Sequence, residues 1–302
     1  NMDEEIIREL LDTKDFYKVV DKNNLYKYQL LDFMRYGIYN YKSPLEMQEK
    51  EILKEIYRDK GCMLKIKDDA VVFISDTHYD YSSLDRKNTN RWDFLYYVLN
   101  FCKYNKIRYL IHGGDIGDGT IEVNGVKYPI NFEVGSDKIA EEQVDNIISD
   151  YPSDPFVYQS VLGGNHDERY LDYEIDILKG LADKKNIYPL GYLHAFISID
   201  GVYISLEHEN HPYRIECRNL IPHDLSIHGH SHIASFQDND VYIPALGGFL
   251  NHKGEEGGEP GFIVMYPNKE SDSIHLEFEH HYLKDGRFVK KPEPYVYKLK
   301  RK

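Results

Sequence analysis

The sequence predicts an α/β fold, because short apolar runs typical of buried strands alternate with helical stretches. The runs at residues 70–74 and 108–111 flank a helix predicted over residues 92–104, which is the strand–helix–strand order of a parallel sheet. A third strand is predicted at residues 157–162, after a helix near residues 137–149. The alternation therefore predicts a parallel sheet at the centre of the fold.

Residues 2–60 have a helical pattern and precede the first of these strands. Three helices are predicted there: one with the apolar face Ile6, Ile7, Leu10 and Leu11, one over residues 25–36, and one that starts at a Ser43, Pro44 and Glu46 capping box and stops at Gly61. The segment has 11 Lys and Arg against 13 Asp and Glu and no basic stripe, which disfavours a DNA-binding helix-turn-helix. We predict a packing or dimerisation appendage at residues 2–60 and the main domain at residues 63–302.

Later segments predict further helices, hairpins and strands. A helix is predicted over residues 173–184, and hairpins are predicted around Asn124 with Gly125 and around Asp200 with Gly201. Further strands are predicted at residues 225–227, 241–243, 262–265 and 274–278. A mobile loop is predicted at residues 251–261, and the basic residues Lys298, Lys300, Arg301 and Lys302 are expected to form a solvated tail.

The chain is acidic, with 37 Lys and Arg against 51 Asp and Glu and a net charge of −14. This charge repels phosphate backbones, so a nucleic acid partner is possible but not favoured, although bound divalent cations could reverse the field locally. The 3 cysteines form no paired motif, which disfavours a disulfide framework and a thiolate zinc site and predicts a reducing, cytoplasmic setting. No apolar run is long enough to cross a bilayer, so no membrane partner is expected.

Polar clusters follow the strand-like runs at five places. They are Asp76 with His78, Asp115 with Asp118, Asn165 with His166 and Asp167, His208 alone, and His230 with His232. Any one cluster is better explained as an ordinary polar turn. Together they predict one site, because ligands gather outside the carboxyl ends of strands in α/β sheets. Asp, Asn and His without Cys suit manganese, iron or zinc, and so many ligands suggest two ions.

As an ordered set, these motifs resemble the signature of the calcineurin-like metallophosphoesterases. The matching motifs are Asp76-x-His78, Gly114-Asp115-x-x-Asp118, Gly164-Asn165-His166-Asp167, His208 and Gly229-His230-x-His232. The resemblance covers residues 70–245 and leaves residues 2–60 outside it. It implies a four-layer α/β/β/α sandwich with two divalent metal ions at one edge of the sheets.

The resemblance also implies a role for each motif residue. The first ion would be held by Asp76, His78 and His232, the second by Asn165, His208 and His230, and Asp115 would bridge them. His166 and Asp167 are the expected catalytic residues: His166 protonates the leaving oxygen, and Asp167 or Asp118 orients the groups behind the ligands. His211 is an alternative to His208, which we prefer because it directly follows a strand.

The expected function is hydrolysis of a phosphodiester or phosphomonoester substrate by attack of hydroxide generated between two ions. One alternative is a DNA-repair nuclease of the same family, which the acidic charge disfavours. A protein serine/threonine phosphatase is disfavoured because Gly119 and Asp167 stand where that subgroup has arginine and glutamate. A binding scaffold that has lost its metals is disfavoured because no ligand is missing.

Three residues outside the motifs are expected to have structural roles, and two segments are expected to border the site. His112 and His228 are expected to be hydrogen-bonded structural residues, and Arg169 is expected to form a surface ion pair rather than to contact substrate phosphate. The hairpin at Asn124 and Gly125 and the loop at residues 251–261 are expected to cap the site and select the substrate.

Overall fold

A computed structural model describes residues 2–82, 90–132, 137–208, 216–247 and 258–300. In chain order its helices are α1 (Met2–Thr13), α2 (Phe16–Lys22), α3 (Lys27–Tyr39), α4 (Met47–Lys60), α5 (Trp92–Tyr104), α6 (Asp137–Asp150), α7 (Asn165–Glu168) and α8 (Ile177–Lys185). Short 3₁₀ helices occupy Ile130–Phe132 and Arg169–Tyr173. None of the helices in the described residues is long and apolar enough to cross a membrane.

Sixteen strands are present among the described residues. They are β1 (Cys62–Ile66), β2 (Val71–Ile74), β3 (Tyr109–His112), β4 (Thr120–Val123), β5 (Val126–Pro129), β6 (Tyr158–Gly163), β7 (Tyr188–Tyr192), β8 (His194–Ile199), β9 (Val202–Glu207), β10 (Leu225–His228), β11 (Ser235–Gln237), β12 (Asp240–Tyr242), β13 (Gly261–Lys269), β14 (Ser273–Lys284), β15 (Arg287–Lys290) and β16 (Tyr295–Lys300). The predicted α/β class is confirmed.

Two sheets form the centre of the fold. The large sheet has eight strands in the order β15-β14-β13-β2-β3-β6-β7, with β16 also paired to β14. The small sheet has six strands in the order β1-β8-β9-β10-β12-β11. Side chains from both sheets, including Phe73 and Ile197, belong to one buried hydrophobic cluster. Because apolar burial drives this packing, the two sheets are held together along their buried strands.

Parallel pairing places the ends of the key strands together. In the large sheet, β2, β3, β6 and β7 are mutually parallel, as the alternation of strands and helices predicts. In the small sheet, β9 and β10 are parallel. The carboxyl ends of parallel neighbours lie at the same edge of a sheet, so the turns after β2, β3 and β6 are close together, and so are those after β9 and β10.

The helices of residues 2–60 bury the expected apolar face. Ile6, Ile7 and Leu10 are buried, and Leu11 packs against the same core. Helix α2 is not among the predicted helices, since its seven residues are too short for a clear period. Its start is capped by the Asp15 carboxylate, which accepts a hydrogen bond from Lys18 N at 3.1 Å. The division into an appendage and a main domain stays a prediction.

The predicted start of the third N-terminal helix is wrong. Helix α4 begins at Met47 with Glu46 as N-cap, and the Glu49 carboxylate accepts a hydrogen bond from Glu46 N at 2.8 Å. This reciprocal bond makes a capping box three residues later than the one expected at Ser43. The stop at Gly61 is confirmed, since Gly61 is the C-cap.

Other boundaries differ for local reasons. Helix α8 begins at Ile177 rather than near residue 173, because the Asp176 carboxylate caps it by accepting from Lys179 N at 3.1 Å. The expected tail at Lys298 and Lys300 is wrong, since both residues lie in β16. Alternate residues Tyr295, Tyr297 and Leu299 pack against the core while the lysines face outward, as a period of two requires. Residues 251–257 of the expected loop and residues 301–302 lie outside the described residues.

Both predicted hairpins are confirmed. Strands β4 and β5 are joined by Asn124 and Gly125 at φ angles of 51° and 79°, which is the conformation that an Asn-Gly turn supplies at low cost. Strands β8 and β9 are joined by Asp200 and Gly201 at 51° and 82°. The strands β1, β7, β11, β15 and β16 were not predicted.

Candidate metal centre

The clusters that follow five strands converge on one place. Asp76 and His78 follow β2, Asp115 follows β3, and Asn165 opens α7 directly after β6. His208 follows β9, and His230 and His232 follow β10. The strands β2 and β10 are fully buried, which fixes the positions from which these polar turns leave the sheets.

Asp76, His78 and His232 form a first group of ligand atoms. The Nε2 atoms of His78 and His232 are 3.2 Å apart, and they lie 3.6 Å and 3.3 Å, respectively, from Asp76 Oδ1. Ligands that are each about 2.1 Å from one cation are roughly 3.0–3.5 Å from one another. The three atoms are therefore spaced as the ligands of a single divalent ion would be.

Asp115, His208 and His230 form a second group, whose ligand atoms all lie within 4.8 Å of one another. His208 Nε2 is 3.1 Å from Asp115 Oδ2. The other ring nitrogen, His208 Nδ1, is 2.7 Å from Gly113 O, so Nδ1 donates to this carbonyl and Nε2 is the nitrogen that faces Asp115. Asp115 Oδ2 is also 3.6 Å from His78 Nε2, so this oxygen contacts both groups.

Asp76 and Asp115 each use one carboxylate oxygen to accept a backbone hydrogen bond and leave the other oxygen to the cluster. Asp76 Oδ2 accepts from His230 N at 3.0 Å, and Asp115 Oδ1 accepts from His166 N at 2.9 Å. Among the described residues, the buried atoms without a hydrogen-bond partner include Asp76 Oδ1, Asp115 Oδ2, Asn165 Oδ1 and His208 Nε2. Unsatisfied buried polar atoms are costly and rare, and several of them facing one point fit the ligand set of divalent cations.

The electrostatics of the cluster arise from carboxylates and imidazoles packed side by side. Burial alone would raise the pKa of Asp115, but the His208 and His166 imidazoles hold it well below the usual value. Burial alone would lower the pKa of His208, but the Asp115 and Asp76 carboxylates raise it to about 9. Metal ions therefore compete with protons for these imidazoles.

The Asp118 carboxylate lies behind the His78 ring and has partners of its own. Its Oδ1 lies 3.3 Å from His78 Nδ1, while its Oδ2 accepts from Thr120 Oγ1 at 2.7 Å and from Lys127 Nζ at 3.0 Å. Although Asp118, His78 and His166 also form a possible ligand group, this carboxylate already has its partners. A carboxylate behind a ligating histidine fixes its tautomer and ring orientation.

Asp167 holds two turns of the large sheet together. Its buried carboxylate accepts from Ile116 N at 3.0 Å, Gly117 N at 2.9 Å and Gly164 N at 2.8 Å. Burial and the neighbouring Asp115 charge raise the pKa of Asp167 to about 7, against the opposing effect of these donors. The bonds join the turn after β3 to the turn after β6, so Asp167 acts through the backbone.

His166 lies at the rim of the cluster and is held from behind. Its Nδ1 is 2.6 Å from Asp118 O, and its Nε2 is 4.0 Å from Asp115 Oδ2. Burial, above all, lowers the pKa of His166 to about 4. Since Nδ1 donates to a carbonyl, Nε2 is the nitrogen that faces the ligand atoms.

Arg169 is a site residue that the sequence interpretation missed. The expected surface ion pair is wrong, because Arg169 is half-buried and its Nη1 is 3.2 Å from both Asp118 O and Gly119 O. The same atom is 3.1 Å from His166 Nδ1. Its position three residues after His166, on one turn of helical backbone, is the signal that could have placed it there.

The remaining histidines divide as follows. His112 Nε2 is 2.9 Å from Thr77 Oγ1, and His228 Nε2 is 2.6 Å from Asp240 Oδ1, so their expected structural roles are confirmed. His211, the alternative to His208, lies in residues 209–215, outside the described residues.

The turns that carry the ligands have unusual backbone conformations. Positive φ angles occur at Asp76 (51°), His78 (45°), Asp115 (54°), His230 (73°) and His232 (63°). L-residues in this region are strained, and such strain concentrates at functional sites. Gly164 has a further constraint, since a Cβ there would lie 2.1 Å from Asp115 Oδ1.

No protein-family model matches the chain, and no curated protein matches its sequence. Solved structures with a similar fold include vacuolar protein sorting 29 from Cryptosporidium parvum, at 17% identity, 77% of this chain, 98% of that chain and a TM-score of 0.40. They also include a conserved uncharacterized protein, a predicted phosphoesterase, from Streptococcus pneumoniae, at 12% identity, 77% of this chain, 98% of that chain and a TM-score of 0.35. Similarity at this level does not establish a shared function.

Proposed function

We propose that the protein is a metal-dependent phosphoesterase of the calcineurin-like type, with two divalent ions. The observation that carries the proposal is the set of buried, unpartnered ligand atoms on Asp76, Asp115, Asn165 and His208. Of these atoms, Asp76 Oδ1 lies at coordination spacing from the Nε2 atoms of His78 and His232, at 3.6 Å and 3.3 Å. Leaving these atoms buried without cations is costly.

Each ion has its own ligands in this proposal. Asp76, His78 and His232 would hold the first ion, and Asn165, His208 and His230 the second. Asp115 would bridge them, which is supported by the contacts of its Oδ2 with both groups. Manganese, iron or zinc suits these oxygen and nitrogen ligands. When bound, two such ions polarise a phosphoryl oxygen and lower the pKa of water for in-line attack.

The chain's own residues would handle the leaving group and the substrate charge. His166 Nδ1 donates to Asp118 O, so Nε2 is the atom that would take up a proton once the charge of a bound phosphate raises the pKa of the imidazole, and would pass that proton to the leaving oxygen. Arg169 would place a fixed positive charge beside that position, since two backbone carbonyls hold its Nη1. Asp118 and Asp167 keep the surrounding groups in place.

Hydrolysis assays with metal-stripped protein test the proposal. Bis-p-nitrophenyl phosphate and p-nitrophenyl phosphate are supplied with Mn²⁺, Zn²⁺ or Fe²⁺ restored one at a time. We expect metal-dependent turnover that is abolished in Asp115→Asn. The matched control is Asp69→Asn, a carboxylate before the other end of β2 whose exposed ion pair with Arg108 is remote from the ligand turns.

The outcomes separate the candidate functions. Turnover with either substrate, lost in Asp115→Asn and kept in Asp69→Asn, supports the phosphoesterase, and the ratio of diester to monoester hydrolysis directs the search for the natural substrate. If the protein binds no metal, the phosphoesterase proposal fails and a non-catalytic binding scaffold takes its place. A nuclease is the less favoured alternative because of the net charge of −14. We also propose a reducing, cytoplasmic location, which the three unpaired cysteines favour.

A further inference from the structure

Helix α3 inserts a buried ion pair next to the strands of the candidate metal centre. Arg35 is only 5% exposed and contacts the Asp32 carboxylate on the same helix. Its guanidinium also donates to the carbonyl oxygens of Tyr192, at 3.3 Å, and of His194. A planar guanidinium can hold two carbonyl groups at once, which a lysine cannot do with the same geometry.

Asp32 completes the grip on this segment. Its Oδ2 accepts from Tyr192 N at 3.2 Å, so Asp32 and Arg35 together bind both the N–H and the C=O of Tyr192. Gly191 makes room for the pair, since a Cβ there would lie 3.0 Å from Asp32 Oδ1 and 3.4 Å from Arg35 Nη2. The pair therefore fits the backbone of residues 191–194 closely.

Leu193, at the centre of this segment, links two ligand-bearing strands. Its N donates to Gly163 O at 2.8 Å, and its O accepts from His208 N at 2.8 Å. Gly163 ends β6, two residues before Asn165, whereas His208 is the ligand that follows β9. Leu193 has a φ of 68°, a conformation that requires support from its surroundings.

We propose that Arg35 and Asp32 are positioning residues for the second ion of the proposed metal centre. They fix residues 192–194, and Leu193 then sets the separation of the turns that carry Asn165 and His208. This inference rests on the proposed function and gives residues 2–60 a role in the site, beyond that of the predicted packing or dimerisation appendage. The first ion, held by Asp76, His78 and His232, has no ligand that is bonded to Leu193.

The test compares Arg35→Lys with Lys27→Gln. Lys27 is a matched control, because it is also a basic residue of α3 that donates to a strand carbonyl, Cys62 O at 3.0 Å, but it lies outside residues 191–194. Metal-stripped proteins are titrated with Co²⁺, followed by visible absorption and by the bound metal content, and their melting temperatures are recorded. The spectrum of His208→Ala identifies the second ion.

In Arg35→Lys we expect the affinity for the second Co²⁺ to fall by about 10- to 100-fold, as is typical when a group supporting a metal ligand is removed. In Arg35→Lys the affinity for the first Co²⁺ should stay within about twofold of the parent value. Lys27→Gln should keep both affinities, because this substitution leaves the linkage through Leu193 intact. Asp32→Asn, which keeps the size of the side chain, should give the same selective loss of affinity for the second Co²⁺. This variant replaces Arg35→Lys in the test if Arg35→Lys does not fold.

Three results would overturn the inference in distinguishable ways. Equal binding of both ions by the parent protein, Arg35→Lys and Asp32→Asn would refute the positioning role and leave the proposed function intact. A parent protein that binds no Co²⁺ would refute the proposed function and this inference with it. Equal losses in Arg35→Lys and Lys27→Gln would show that docking of α3 in general, rather than the grip on residues 192–194, supports the site, and would also refute the inference.

Discussion

The two sheets contribute different chemistry to the same cluster. The large sheet supplies both carboxylates, Asp76 and Asp115, on its neighbouring strands β2 and β3, and also His78 and Asn165. The small sheet supplies imidazoles only, on His208, His230 and His232. Neither sheet holds a complete ligand set, so the site depends on how the sheets pack against each other.

The ligands themselves help to join the two sheets. His230 N donates to Asp76 Oδ2, and His208 Nδ1 donates to Gly113 O, so each bond crosses from the small sheet to the large one. Cations bound between them would add further links across the same boundary. We call the large-sheet part of the cluster, with Asp76 and Asp115, the acidic half and the small-sheet part, with His208, His230 and His232, the imidazole half. Substitutions in either half test this contrast.

The largest effect is expected from crowding the acidic half. In Gly164→Ala, the new Cβ would meet Asp115 Oδ1 at 2.1 Å and Asp115 N at 2.3 Å, so the turn has to move. We expect the free energy of unfolding to fall by about 3 kcal/mol and binding of both ions to be lost, since Asp115 contacts both groups. Chemical denaturation and Co²⁺ titration measure the two effects.

Gly201→Ala is the matched control in the small sheet. A Cβ at Gly201 meets nothing within 4 Å, and only its φ of 82° opposes the change. Its cost should be about 1 kcal/mol, with both ions still bound. If Gly164→Ala were no worse than Gly201→Ala, the close approach of Gly164 to Asp115 would not matter to the site.

The next largest effect is expected from removing single histidines of the imidazole half. His232→Ala should remove the ion shared with Asp76 and His78, whereas His208→Ala should remove the other. A bound ion at 100 times its Kd stabilises the parent fold by about 2.7 kcal/mol, so each variant should lose one such increment. Melting temperatures with and without Mn²⁺ measure it, and a variant that keeps the full metal-induced shift would contradict the assignment.

A smaller effect is expected behind a ligand of the acidic half. Asp118→Asn removes the charge that orients His78 and should lower the affinity for the first ion by about 10-fold. Asp80→Asn is the control, because Asp80 is the other carboxylate that binds Lys127, at 2.6 Å, without contacting His78 in the described structure. Equal affinities for Mn²⁺ in the two variants would argue that Asp118 merely neutralises Lys127.

The last prediction concerns the acid sensitivity of the small sheet. His194 in β8 is buried, with Nε2 2.8 Å from Ser205 Oγ, and burial followed by the Arg35 charge holds its pKa well below the usual value. In the unfolded chain it titrates near pH 6.5, so its contribution to stability is complete above that pH. Stability is lost as the pH falls below 6.5, by about 1.4 kcal/mol per unit.

His194→Gln removes this titration while keeping a side chain that can bond to Ser205. Urea midpoints at pH 5, 6, 7 and 8 should therefore fall less steeply on acidification in His194→Gln than in the parent protein. Parallel pH profiles of the two proteins would assign the acid sensitivity to other groups.

Local signals in the sequence were enough for the strands that end in ligand turns. Buried apolar runs such as Val71–Ile74 and Leu225–His228 are followed at once by polar clusters, so strand and site were predicted together. Strand β7 has the opposite character, because its sequence YPLGY contains Pro189 and Gly191, which normally argue against a strand. It forms because β6 supplies a parallel partner, with an irregularity in the pairing between Val161 and Leu162.

Long-range contacts explain what the sequence did not reveal. Arg35 gives no local signal of its role, since its partners Tyr192 and His194 are more than 150 residues away. Arg169 resembled a surface residue because its partners, the carbonyls of Asp118 and Gly119, lie on another turn. Side chains that bind backbone atoms of distant segments leave no periodicity to detect.

The positive φ angles at Asp76, His78, Asp115, His230 and His232 bear on how such a centre could be transplanted. A designer who copied these side chains onto regular strands would place them near φ −120°, where they would point to alternating faces of a sheet. The turns would have to be copied too, together with Gly164, which passes close to Asp115 because it has no Cβ. In a redesigned scaffold, the unit to graft is therefore the five loops, and the side chains follow from them.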